Sequence, residues 1–236
     1  MKIITWNCNM AFRKKAHLIL AHKPDIVVIP ECEHPDKLIF SPDTLNPQDV
    51  LWFGKNPHKG LGIFSYSNFR FKIHETYNPD FQLIIPIIVS DGIFEFILLA
   101  IWANNPTDKD GRYIEQIWKA INYYATLLES KTSILIGDFN SNTIWDKQHK
   151  YRSHSNVVEI LANKKIVSAY HLHHKQIQGI EEHPTLYMYR HESKPYHIDY
   201  CFVSADLAER ITSVDIGEYK SWFPYSDHVP LFVIFD

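Results

Sequence analysis

The chain has 236 residues, a length that suits one α/β or layered β domain with a sizeable core. Hydrophobic residues make up 45% and aromatics 14%, spread along the whole length, which excludes a disordered chain. The formal net charge of −3 excludes a global positive field, so a nucleic-acid substrate would need a local basic patch.

Taken in chain order, Lys2–Cys8 predicts a first strand and Ala11–Ala21 a helix, followed by a strand over Asp25–Pro30, which together form a crossover unit. Leu61–Ser65, Phe69–His74, Gln82–Ser90 and Phe94–Ala103 read as an antiparallel, hairpin-like series, with "SDG" at 90–92 as a tight turn. A helix over Arg112–Leu128 follows, with Ile114, Ile117, Trp118, Ile121 and Ala125 on one face. Then come a strand at Ser133–Ile136, a helix at His154–Asn163 and a surface loop from His173. Strands at Leu186–Tyr189, His197–Val203 and Val229–Phe235 complete the chain. With no repeat and no Gly/Ser linker, residues 1–236 read as a single domain of mixed α/β (α+β) class. Two mixed β-sheets packed face to face with helices outside, a four-layer sandwich, accommodate both hairpins and crossovers.

Cys8, Cys32 and Cys201 are odd in number and lack CxxC spacing, which argues against a disulfide framework and against a zinc knuckle. Small buried hydrophobes in a reducing compartment are the expectation, and "MKIITWN" has no secretory h-region, so the expected location is cytoplasmic. No run approaches a membrane span, and nothing points to an obligate protein partner.

Several apolar strands end alike: "TWNCN", "IPE", "ILIGDFNSN", "HIDYCFVS", and "SDHVP" before the last strand. If these ends meet, Asn7, Glu31, Asp138, Asn140, Asp199, Asp227 and His228 form one pocket. Four carboxylates stay ionised together only with a cation among them, and an oxygen-rich set suits Mg²⁺ or Mn²⁺ better than zinc. Each piece alone has a structural reading: "GDFN" as a strand-to-turn transition, Glu31 or Ser226 as a cap. Asp199, in a buried-looking strand, requires a partner, and an imidazole is a natural one.

These five segments, in this order, resemble the endonuclease/exonuclease/phosphatase family, the deoxyribonuclease-I-like and exonuclease-III-like metal-dependent phosphodiesterases. The resemblance implies Glu31, Asn7 and Asp227 at a metal, and Asp138 as proton acceptor from the attacking water with Asn140 beside it. It implies His228 at the scissile phosphate, oriented by Asp199, and Trp102, Asn105 and Arg112 as substrate contacts. Trp102 stands where the family often has a Tyr or His, and Asn9 where some members carry an acid. The expected activity is metal-dependent hydrolysis of a phosphodiester, DNA or RNA among the candidates. A phosphatase or phosphodiesterase acting on a small nucleotide, sugar or lipid headgroup, and a non-catalytic binding module, stand as alternatives. The clusters Arg13–Lys15, Lys164–Lys165 and His171–Lys175 read as solvated faces, while Trp145, Trp222 and Tyr225 read either as base-stacking or as core.

Overall fold

A computed structural model describes residues 1–38, 44–104 and 111–236. The first strand, β1 (Lys2–Thr5), leads through a 3₁₀ turn at Phe12–Lys14 and a short helix α1 (Ala16–Leu20) into β2 (Ile26–Cys32), and the two strands pair in parallel. A hairpin of β3 (Asp49–Asn56) and β4 (Lys59–Ser65) extends that sheet. The chain then crosses to a second sheet with β5 (Arg70–Ile73), β6 (Ile84–Ser90) and β7 (Glu95–Trp102). Helices α2 (Ile114–Tyr123) and α3 (Ala125–Ser130) lead to β8 (Ser133–Asp138), parallel to β7. Next come α4 (His154–Asn163), β9 (Ile166–Ser168), α5 (Ala169–His174) and a small ribbon of β10 (Leu186–Tyr187) and β11 (Pro195–Tyr196). The chain ends with β12 (Asp199–Ser204), α6 (Ala205–Ala208), β13 (Ile211–Ile216), α7 (Tyr219–Trp222) and β14 (Leu231–Phe235).

The first sheet runs β13-β14-β1-β2-β4-β3 and the second β5-β6-β7-β8-β12-β9. Alternation along the strands explains why the sheets stack. Ile3, Ile26, Val28, Leu61 and Ile63 of the first sheet meet Ile85, Leu98, Ala100, Ile134, Ile136 and Cys201 of the second in one core. The intervening residues face outward yet are also apolar: Ile97, Leu99, Ile101 and Leu135 pack under Ile117, Ile121, Val157 and Leu161 of the helices. On the other side Ile4, Val27 and Ile29 pack under Ile19 and Trp222. Strands buried on both faces read as continuous apolar runs, which is why these were legible in the sequence. The result is the expected four-layer sandwich, helices outside two mixed sheets. Among the described residues, no helix is long and apolar enough to cross a membrane.

Two predicted helices are corrected. The segment predicted as one helix over Ala11–Ala21 opens with Ala11 at φ 52°, makes a 3₁₀ turn, and becomes α-helical only at Ala16. Its start is held from outside: buried Glu33 accepts from the backbone N–H groups of Phe12 and Arg13 and from the Arg13 guanidinium. Lys15, read as a solvated cation, donates instead to the carbonyls of Cys8, Asn9 and Tyr225. The helix predicted over Arg112–Leu128 breaks at Tyr124, whose buried ring packs in the outer core and whose hydroxyl accepts from the Asn78 N–H. Strands β3, β9, β11 and β13 were not predicted. All three cysteines are buried and unpaired, as expected.

Candidate active site

Strand register assembles the first part of the site. Trp102 lies opposite Asp138 in the parallel β7–β8 pair, and Asp138 lies opposite Asp199 in the antiparallel β8–β12 pair. These three residues share the face whose neighbouring positions, Ala100, Ile136 and Cys201, form the inter-sheet core. Two carboxylates therefore stand side by side where the second sheet meets the first. "GDFN" delivers Asp138 by a backbone only glycine permits: Gly137 has φ 142°, and a Cβ there would lie 1.8 Å from the Ile101 carbonyl oxygen. Asn140, at φ 47°, folds back so that its N–H donates to Asp138 Oδ1 at 2.8 Å. Its side-chain amide donates to Asp138 Oδ2 at 3.1 Å and to the Ala103 carbonyl.

The first sheet supplies the rest. Beyond β1, the Asn7 amide donates to Asp138 Oδ2 at 3.0 Å and to Glu31 Oε1 at 3.4 Å. Glu31 has φ 62° and sits where the β2–β4 register slips between Pro30 and Cys32. Such a bulge re-aims a side chain that regular alternation would direct elsewhere. The "SDHVP" turn is fixed by Ser226, whose hydroxyl donates to the Asn7 carbonyl at 2.7 Å and accepts from the His228 N–H. The Trp6 indole donates to the His228 carbonyl, and Tyr187 N–H to that of Asp227. The turn sends its two functional side chains apart. His228 Nδ1 donates to Asp199 Oδ2 at 2.8 Å, while Asp227 Oδ1 accepts from the Asn9 amide at 3.2 Å.

Of the residues singled out in the sequence, hydrogen bonds link Asn7, Glu31, Asp138 and Asn140, and the hydrogen-bonded Asp199–His228 pair stands beside them through the Asp138–Asp199 register. Asp227 joins through Asn9, whose N–H donates to Asn7 Oδ1. Trp102 flanks Asp138, and Asn105 lies outside the described residues. Arg112 is exposed and helps start α2, its N–H donating to Glu115. Trp222 and Trp145 pack on Trp6 and Tyr196.

Sequence reading missed Lys59, whose ammonium lies 3.1 Å from Glu31 Oε2 and 5.3 Å from the Trp102 ring centre. It missed Thr185, whose hydroxyl accepts from the Ile198 and Asp199 N–H groups and fixes the start of β12. Neither sits in a motif; a lone lysine at a hairpin tip and a lone threonine carry no sequence signal.

Electrostatics follow from burial. Asp138, Asp199 and His228 are 0%, 1% and 5% exposed. Desolvation and the neighbouring Asp199 charge push the Asp138 carboxyl up to about 7, against His228, Asn7 and the Asn140 N–H, which favour its ionised form. For His228, burial alone would favour the neutral ring, but the charge and hydrogen bond of Asp199, helped by Asp138 and Asp227, raise it well above the usual imidazole range.

One ligand atom from each of Asp138, Asp199 and His228 lies within 4.8 Å of the others, and Asp199 Oδ1 is buried with no hydrogen-bond partner among the described residues. A cation would satisfy such an orphaned oxygen. The carboxylate oxygens of Glu31 and Asp138, gathered around the Asn7 amide, are hard donors that fit a hard divalent ion. The nearby Cys8 and Cys32 thiols are held protonated by burial and offer no soft thiolate.

A model of the Endonuclease/Exonuclease/phosphatase family matches residues 4–228. No curated protein sequence matches significantly. Among solved structures, the 3′ phosphatase NExo from Neisseria, bound to a product DNA hairpin, aligns over 100% of this chain and 99% of its own, with TM-score 0.67 and 20% identity. An AP endonuclease from Archaeoglobus fulgidus aligns over 100% and 99%, with TM-score 0.65 and 19% identity. The AP endonuclease LMAP from Leishmania major aligns over 98% and 86%, with TM-score 0.72 and 14% identity. At these identities the likeness is one of fold.

Proposed function

The chain belongs to the endonuclease/exonuclease/phosphatase family and is a metal-dependent hydrolase of phosphoester bonds; within that class we propose a nuclease-type phosphodiesterase, the whole chain acting as one domain. The observation that carries the reading is the pairing of a buried Asp199–His228 couple with a second buried carboxylate, Asp138, across one strand register. The solved relatives named for DNA chemistry share the fold and make a nucleic-acid strand the favoured substrate.

In this reading Asp138 takes the proton of the attacking water, a task suited to a carboxyl whose affinity for protons burial has raised toward neutrality. Asn140 holds Asp138 in place through two bonds to the carboxylate. His228, kept protonated by Asp199 on Nδ1, offers Nε2 to a phosphate oxygen and stabilises the charge that develops there. Glu31 and Asp227, with the Asp138 side behind them, would hold Mg²⁺ or Mn²⁺. Asn7, expected as a ligand, turns its amide N–H groups to both Glu31 and Asp138 and acts here as the positioning group between them. When bound, the ion supplies positive charge to the phosphate oxygens.

The test is a Mg²⁺ and Mn²⁺ titration against bis-p-nitrophenyl phosphate, plasmid DNA and abasic-site oligonucleotides. Metal-dependent turnover is expected, lost in folded His228→Ala and Asp138→Asn proteins. Turnover that persists in EDTA, or absence of turnover on every ester, defeats the proposal; cleavage of small esters alone would redirect it to a small-molecule phosphoesterase.

A further inference from the structure

Beside the site, on the Glu31 side, lies a cavity of about 560 Å³ between the β3–β4 hairpin of the first sheet and the end of β7 in the second. Trp102 and Leu83 line it, Phe53 and Tyr77 form an aromatic pair with ring centres 5.8 Å apart, and Lys59 and Gln82 add polar groups. Its volume falls in the range that holds small ligands, about 300–1,000 Å³. Resting on the nuclease reading, we propose that this cavity receives a single unpaired nucleobase of the nucleotide next to the scissile phosphate.

Four features select that ligand. The first is continuity with the chemistry. Lys59 Nζ lies 3.1 Å from Glu31 Oε2 and 5.3 Å from the Trp102 ring, and Trp102 stands in register with Asp138. A group entering the cavity therefore lies beside whatever sits at the carboxylates.

The second is lining chemistry. Aromatic rings with an ammonium over one of them favour a flat, polarisable ring on a phosphate and disfavour an aliphatic lipid tail or a bare sugar. Gln82 adds a donor and acceptor suited to a base edge.

The third is preorganisation. Gln82 is held at φ 52°, ψ −101°, a strained conformation for a non-glycine residue, of the kind that clusters at ligand sites. Trp52, also on the lining, lies so close over the hairpin backbone that a Cβ at Gly60 would fall 2.3 Å from its ring, and its indole donates to the Cys32 carbonyl at 3.0 Å.

The fourth is access. The cavity lies between a hairpin and the turn at Pro79–Phe81, so a base enters only after leaving its stack. Single-stranded or extrahelical nucleotides follow as the substrate class.

Calorimetry with adenosine 5′-monophosphate and ribose 5-phosphate, both without divalent metal, tests the inference. The nucleotide should bind about ten- to a hundred-fold more tightly, the gain expected of one stacked base. Leu83→Trp, which fills the cavity, and Tyr77→Ala, which strips one wall, should each bring the two affinities together in proteins that remain folded. Equal affinities, no nucleotide binding up to millimolar concentration, or a preference that survives in folded Leu83→Trp and Tyr77→Ala proteins would overturn it. Hydrolysis of bis-p-nitrophenyl phosphate by the wild-type protein is measured alongside. Its absence with the nucleotide preference intact would defeat the phosphodiesterase reading and leave the base cavity standing.

Discussion

Replacing Asp199 by Asn tests the central electrostatic claim. The Asp199–His228 contact is 2.8 Å long between groups that are almost fully buried. Burial disfavours the imidazolium, so its survival depends on Asp199 first and on Asp138 and Asp227 after it. An opposite charge at this range shifts an imidazole by roughly one to three units, and that is the fall expected for His228 in the variant. The folded-state value of His228 is raised, so its contribution to stability is fully present below the unfolded value of 6.5 and is lost as pH rises through the folded value near 10. In Asp199→Asn this alkaline loss should shrink and begin at lower pH, because the native ring then holds its proton less tightly than in the wild-type protein. An Asn oxygen still accepts from Nδ1, so the cost at neutral pH should sit near the low end for a broken buried pair, about 3 kcal/mol. The backbone should stay in place, since Thr185 holds the Asp199 N–H rather than its side chain. Turnover should fall roughly 10²- to 10⁴-fold. Imidazole NMR titration of the metal-free protein, urea denaturation between pH 6 and 10, and kcat on bis-p-nitrophenyl phosphate read these three effects. A variant whose His228 titrates within about half a unit of the wild-type ring, with kcat within threefold of wild type, would refute the reasoning.

Buried His154 and His197 should make the protein acid-sensitive: desolvation lowers each from 6.5 to about 4. Their stabilisation is complete above pH 6.5 and is lost as pH falls toward 4, about 3 kcal/mol for each at roughly 1.4 kcal/mol per unit. Urea midpoints that stay flat across this window would contradict it. Lys59→Gln removes the cation paired with Glu31 across a partly exposed contact, so Mg²⁺ affinity measured by calorimetry should rise by at most about fivefold; weaker binding would show that Lys59 does not compete for that carboxylate. Gly137→Ala should destabilise by about 3 kcal/mol or more, because its Cβ would overlap the Ile101 carbonyl at φ 142°. A thermal midpoint within a degree or two of wild type would overturn this account of the "GDFN" turn.

What the sequence made legible follows physical rules. Strands buried on both faces, such as Ile26–Cys32 and Glu95–Trp102, announce themselves as apolar runs. Edge strands do not. β3 ends in exposed Gly54, Lys55 and Asn56, and β13 carries exposed Thr212 and Asp215 among half-buried residues, with Val214 alone fully buried. Their pairing is decided by neighbours distant in sequence rather than by their own composition. The helix at Ala11–Ala21 was overpredicted for the same reason: apolar spacing is visible locally, but Glu33 and the carbonyls that capture Lys15 are not.

The site divides along that same line. Asp199 was legible because a carboxylate in a buried run needs a partner, and Asp138 because several apolar strands end alike; register then sets them side by side. His228 was legible beside them because "SDHVP" had to contain a turn, and the turn directs Asp227 to Asn9 and His228 to Asp199. Lys59 was not legible, because its role comes from a hairpin folding its tip over the bulge that carries Glu31. Its importance lies in that position. In the absence of metal it is the cation that shares the Glu31 carboxylate, and it also stands over the ring that floors the base cavity. With a divalent ion held at Glu31, the Lys59 ammonium would lose that carboxylate partner and be left beside the Trp102 ring and the cavity. Metal binding and base binding would then be coupled through one side chain, and by linkage each should strengthen the other.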